Sequence, residues 1–165
     1  MVTIFLGGPP FFDEYDKTFP AVELYGDIND PAHPFNVPLI IKDRSTIFDM
    51  HNVKVTCEFD LVWILDGRKA PAHGIDSHIY STTLIAPQTP FVFTSELAGS
   101  IEIRREQTGE LAPIERGLLV VKITYDTQLA SVWGHSLNLP RVMSAYFNVE
   151  PSAKGLRWIP GTRLH

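Results

Sequence analysis

Residues 53–63 alternate between apolar and polar side chains, and this pattern constrains the fold more than any other feature of the sequence. The apolar positions are Val53, Val55, Cys57, Phe59, Leu61 and Trp63. Successive side chains of a β-strand point to opposite faces, so the segment is predicted to be a long strand with one apolar and one solvated face. From 62 to 65 every residue is apolar, which predicts that a second layer or a partner covers this end.

Short apolar segments separated by turn residues recur along the rest of the chain. They are residues 21–25, 35–41, 79–85, 91–93, 117–125, 142–149 and 155–159. The 13 prolines oppose long helices, because a proline inside a helix costs about 3 kcal/mol. Residues 95–105 fit either a short helix or a strand. Together these features predict an all-β protein, an antiparallel β-sandwich of seven to eight strands.

The chain of 165 residues has the length of one domain. We expect residues 18–165 to form that domain and residues 1–17 to be an N-terminal arm or the end of a membrane anchor. Met1–Leu6 is apolar, but it has no basic residues before it and is shorter than the ~7–15 apolar residues of a signal peptide. A plain N-terminal strand and the end of an anchor are both compatible with this start.

Charge and cysteine content exclude several classes of function. Lys and Arg total 14 against 19 Asp and Glu, and no segment is rich in basic residues, so we expect no nucleic-acid partner. The single cysteine, Cys57, allows no intramolecular disulfide, and its place on the apolar face of a strand predicts a small buried side chain. No glycine-rich phosphate-binding motif occurs, so we expect no nucleotide or other small-molecule cofactor.

The order of four segments along the chain is similar to that of other proteins. The segments are residues 34–42, 47–57, 123–126 and 155–160. This order resembles that of small bacterial proteins of unknown function, which carry an immunoglobulin-like or fibronectin-III-like sandwich behind an N-terminal membrane anchor. It is more distantly similar to the water-stress and hypersensitive-response domain of late-embryogenesis proteins. The resemblance implies an immunoglobulin-like sandwich and a membrane-associated place in the cell envelope, and it implies no catalytic residues.

The densest polar cluster of the sequence is in residues 73–78. His73, Asp76 and His78 could form a two-histidine, one-carboxylate metal site if a loop turned all three inward. Pro71 and Gly74 are equally typical of an exposed connection, so a solvated loop is the alternative.

The aromatic residues suggest a second binding chemistry. Exposed rings on a β-sandwich stack on sugars, and we name Trp133 and Tyr125 as candidate carbohydrate-binding residues. The alternative is that the aromatic rings fill the core. For Phe59 and Trp63, which share the apolar face of the long strand, we predict the core.

Residues 134–138 differ by one glycine from the Gly-x-Ser-x-Gly nucleophile elbow. The motif also requires a helix to follow, and Pro140 stands where that helix would begin. We therefore expect this segment to be a long loop between two strands and not an esterase site.

These observations favour a non-catalytic interaction or scaffold domain in the cell envelope, with a protein partner that binds end loops or an edge strand. A cytoplasmic location remains open. The alternatives are a carbohydrate-binding module, a metal-dependent enzyme at His73, Asp76 and His78, and a virion or other assembly subunit that self-associates through residues 1–17.

Overall fold

The computed structural model describes residues 19–24, 26–34, 37–46, 48–64, 69–70, 80–93, 104–105, 108–132 and 135–161. Every regular element in these ranges is a β-strand, which confirms the predicted all-β class. The strands are β1 (Ala21–Leu24), β2 (Asp27–Ile28), β3 (Leu39–Lys42), β4 (Met50–Ile64), β5 (Lys69–Ala70), β6 (Tyr80–Ile85), β7 (Pro90–Phe93), β8 (Ile114–Val132), β9 (His135–Ser152) and β10 (Gly155–Gly161).

Each of the eight predicted strands overlaps one of these. Only β2 and β5 lack a predicted counterpart, because two residues are too few to show a period. Pro38 directly precedes β3, as expected of a residue that has no N–H to donate within a sheet.

The strands form two antiparallel sheets. The smaller has the order β1-β3-β7, and the larger has the order β2-β10-β9-β8-β4-β5, with β6 also paired to β4. Side chains of both sheets meet in one apolar core, to which β3 contributes Leu39 and Ile41 and β8 contributes Leu119, Val121 and Ile123. This is the two-layer packing that period-two segments predict.

A β-bulge in β4 changes the face on which its later side chains lie. The pairing of β4 with β8 shifts register between Phe59 and Leu61. Before the shift Cys57 is buried, whereas after it Val62 is buried and Trp63 lies half-exposed on the outer face. The prediction that Trp63 lies in the core was therefore wrong, because one extra residue in a strand exchanges the two faces.

The β8–β9 hairpin extends past the strand that flanks it. β4 pairs with β8 only as far as Thr127, and beyond it residues 128–132 of β8 continue to pair with residues 135–138 of β9. The expected long loop at 134–138 was wrong, since β9 begins at His135 and pairs with Val132. The sequence of residues 128–138 lacks the regular alternation of apolar and polar residues that identified the other strands.

The open choice between helix and strand at 95–105 falls mainly outside the described residues. Within them, Arg104 forms an isolated antiparallel bridge with Leu111.

Candidate functional site

Of the five candidate site residues named from the sequence, four lie outside the described residues and one lies in the core. His73, Asp76, His78 and Trp133 lie outside the described residues, so their metal- and sugar-binding roles stay predictions. Tyr125 is 3% exposed and belongs to the core, so its ring offers no face for stacking on a sugar. In the part of the chain that the structure describes, no group of three or more His, Cys, Asp or Glu residues could hold a metal ion.

Three chain connections meet at one end of the sandwich. They are the loop 43–49 from β3 to β4, the turn 86–89 from β6 to β7, and the hairpin segment 128–138. Strand pairing brings them together, because Met50 lies opposite both Ile85 and Thr127. We call this region the loop end.

The loop end holds the buried polar side chains found among the described residues. Asp43 and Ser45 are 0% exposed and Thr127 is 1% exposed, whereas the rest of the interior is apolar. Burying a polar group costs free energy unless it is hydrogen-bonded, so buried polar side chains are few in most proteins. Three of them at one end of the sandwich therefore mark this end as the candidate site. The site is accordingly built around these side chains.

Loop 43–49 is held in place by its own side chains. Asp43 Oδ1 accepts a hydrogen bond from the Ser45 N–H at 2.9 Å, and Ser45 Oγ accepts one from the Phe48 N–H at 2.9 Å. Aspartate and serine commonly form such local bonds in turns. Because Phe48 is itself buried, the loop is anchored both by apolar packing and by its polar bonds.

Two residues with left-handed backbone geometry brace the loop end. Gln88 has φ of 58°, and its side-chain amide donates to the carbonyl oxygens of Arg44 at 2.6 Å and Ser45 at 2.9 Å. Asn52 has φ of 51°, and its amide donates to Asp126 Oδ2 at 2.9 Å. Asn52 lies at a register shift of β4 and Gln88 in the turn from β6 to β7, two places where this conformation is common, and here it directs both amides to the bonds that hold the loop end.

Asp43 is the electrostatically unusual residue of the loop end. Burial raises its pKa from an ordinary 3.8 to about 6, the Ser45 N–H opposes this rise, and the negative charge of Asp49 adds to it. Its second oxygen, Oδ2, has no hydrogen-bond partner. The pKa of the carboxyl group is therefore raised to about 6 by burial, and the Ser45 N–H is the one hydrogen bond described that stabilises its charged form.

Tyr125 and Arg141 extend this cluster towards the hairpin. Burial raises the pKa of Tyr125, the charge of Arg141 lowers it, and the charge of Asp43 raises it again. The Arg141 guanidinium also lies over the ring of Phe19, with Cζ 5.1 Å from the ring centroid. Tyr125 consequently stays a neutral hydroxyl at physiological pH, between an acid and a base.

Sequence reasoning missed Asp43 and Thr127 as site residues. Asp43 follows β3 among other polar residues, and Thr127 lies within β8 between Asp126 and Gln128, so neither stands out from its polar neighbours in the sequence. The one available signal was the Asp43-Arg44-Ser45 sequence, which favours a local side-chain turn but does not indicate burial.

At the outer part of the loop end, Leu137 is 61% exposed on the projecting hairpin. This places a large apolar side chain in solvent on β9, opposite Ala130 of β8, where it is free to contact another molecule.

In the described ranges no helix is both long and apolar enough to cross a membrane. Comparison of the chain with protein-family models, with curated proteins and with solved structures gave no match.

Proposed function

We propose that this chain is a non-catalytic interaction domain of a cell-envelope protein, and that it binds a protein partner through the loop end. The proposal rests on one observation: three connections meet at one end of the sandwich, where hydrogen bonds hold them around buried polar side chains. Binding residues are commonly found on loops that a rigid scaffold positions.

The strand order supports an immunoglobulin-like or fibronectin-III-like type of sandwich. β1, β3 and β7 pair in the order that strands A, B and E have in that fold, and β6, β4, β8 and β9 pair in the order of C′, C, F and G. In immunoglobulin variable domains the loops between B and C and between F and G belong to the binding end. The loop end corresponds to that end, since it contains loop 43–49 and hairpin segment 128–138.

The hydrogen bonds that hold loop 43–49 favour a role in binding a partner over a role as a simple connection between two strands. The loop carries two local hydrogen bonds and two more from Gln88, so little conformational entropy remains to be lost when a partner binds. Leu137 supplies exposed apolar area next to these loops, and Arg44 supplies an exposed charge.

Photo-crosslinking in cells tests the binding end. A photoreactive phenylalanine analogue replaces Leu137 or Arg44 in two variants, and exposed Lys122 on the outer face of β8 in the control variant. We expect Leu137 and Arg44 to capture the same partner and Lys122 to capture none. Equal capture at all three positions, or capture only at Lys122, would contradict binding through the loop end.

The envelope location is supported by the resemblance to membrane-anchored bacterial proteins. Fractionation of cells that express the full-length gene tests it. Recovery of the protein entirely in the soluble cytoplasmic fraction would defeat this part of the proposal.

A further inference from the structure

The outer face of the larger sheet has a groove at the end opposite the loop end. It is lined mainly by Trp63 of β4, Arg116 and Leu118 of β8, and Asn148 and Glu150 of β9. Its volume is about 350 Å³, within the range of small-molecule sites. The bulge in β4 creates this groove, because it turns the Trp63 indole out of the core.

The indole and the guanidinium of Arg116 form one wall. The Arg116 Cζ lies 4.7 Å from the centroid of the Trp63 ring, and the two residues are directly paired across β4 and β8. Arg116 is exposed, so an incoming ligand can displace it from the ring at little cost and then accept hydrogen bonds from it.

The polar groups of the groove define the chemistry of its ligand. Arg116 only donates hydrogen bonds, the Glu150 carboxylate only accepts them, and the Asn148 amide does both. Since the two charges are opposite in sign, the groove favours neither an anion nor a cation. An uncharged ligand with many hydroxyl groups and one apolar face satisfies both the polar groups and the indole.

We propose that this groove binds a saccharide, with a sugar ring stacked on Trp63 and its hydroxyls bonded to Arg116, Asn148 and Glu150. This proposal is independent of the protein-binding loop end, which lies at the other end of the same sheet. It gives the domain a second, carbohydrate-binding activity.

Retention on insoluble polysaccharide tests the proposal. Purified protein is passed over cellulose, chitin, starch and peptidoglycan, and binding is compared among the wild type, Trp63→Ala and Trp133→Ala. We expect the wild type to be retained on at least one of them and Trp63→Ala to bind about tenfold more weakly, the loss expected for one aromatic stacking contact. Trp133→Ala tests the alternative sugar-binding residue predicted from the sequence. Val142→Ala, which shortens a side chain that is 61% exposed on β9 away from the groove, is the control and should bind like the wild type.

A second variant keeps the test decisive if Trp63→Ala does not fold. Asn148 lies on the outer face and not in the core, so Asn148→Ala should weaken retention while its thermal unfolding temperature stays that of the wild type. The proposal is overturned if the wild type binds none of the four polysaccharides, or if folded Trp63→Ala and Asn148→Ala both bind like the wild type. Loss of binding in Trp133→Ala alone also overturns it. None of these results changes the crosslinking expected at the loop end.

Discussion

Replacing Asp43 with asparagine should change how the stability of this protein depends on pH. The folded state raises the pKa of Asp43 from 3.8 to about 6, mainly because the group is buried. Between these two values the folded state binds a proton that the unfolded chain has released. The stability that this group contributes is therefore fully present below pH 4 and is lost as the pH rises through 6.

The size of the effect follows from the interval between the two pKa values. At 1.36 kcal/mol per pH unit, a rise from 3.8 to about 6 corresponds to about 3 kcal/mol. Asparagine keeps an oxygen that can accept the bond from the Ser45 N–H and has no charge to bury. Because more than half of the unfolded carboxyl groups are already ionised at pH 4, the free energy of unfolding of Asp43→Asn, relative to the wild type, should rise by about 2 kcal/mol between pH 4 and pH 8.

Urea unfolding followed by tryptophan fluorescence at several pH values measures this difference. Glu58→Gln is the control, because it removes a carboxylate from the exposed face of β4. Asp49→Asn should lower the pKa of Asp43 slightly, because the Asp49 charge contributes to its rise. The pH interval over which the protein loses stability should then be slightly shorter. A difference between Asp43→Asn and the wild type that stays constant from pH 4 to pH 8 would refute the reasoning.

Three further variants test the packing. Gly155→Ala should destabilise the protein strongly, because Gly155 has φ of 128° and a Cβ there would lie 2.7 Å from the carbonyl oxygen of Ile28. Gly109→Ala is its matched control: φ is 69° and no atom lies within 4 Å of the added Cβ, so in urea unfolding it should lose only the conformational cost of about 1 kcal/mol. Trp158→Phe removes a 3.2 Å bond from the indole N–H to a backbone carbonyl and should cost about 1–3 kcal/mol in the same assay. Cys57 is buried, so a thiol reagent should label it only at the rate of unfolding, and immediate labelling of native protein would contradict its placement.

The positions of the strands were predictable because their signal is local. Alternation along 53–63 and 117–125 depends only on which side chains are neighbours in the chain, and both segments form strands. The paired residues 128–132 and 135–138 were not predictable in this way, because their sequence does not alternate regularly between apolar and polar residues.

The loop end was far less predictable than the strands. Its cluster brings the charges of Asp43 and Arg141 close enough to Tyr125 to influence its pKa, although the three residues lie on three different segments. The burial of Asp43 depends on how the sheets close over loop 43–49, and no residue near it in the sequence indicates this.

By itself the sequence determined the class of fold, because residue-by-residue alternation selects pleated strands and because proline prevents long helices. The tertiary structure alone decided which face Trp63 occupies and what surrounds Asp43. Both depend on strand register and on the closure of one sheet over the other. These are contacts between distant parts of the chain, and their energies appear only once the layers have packed.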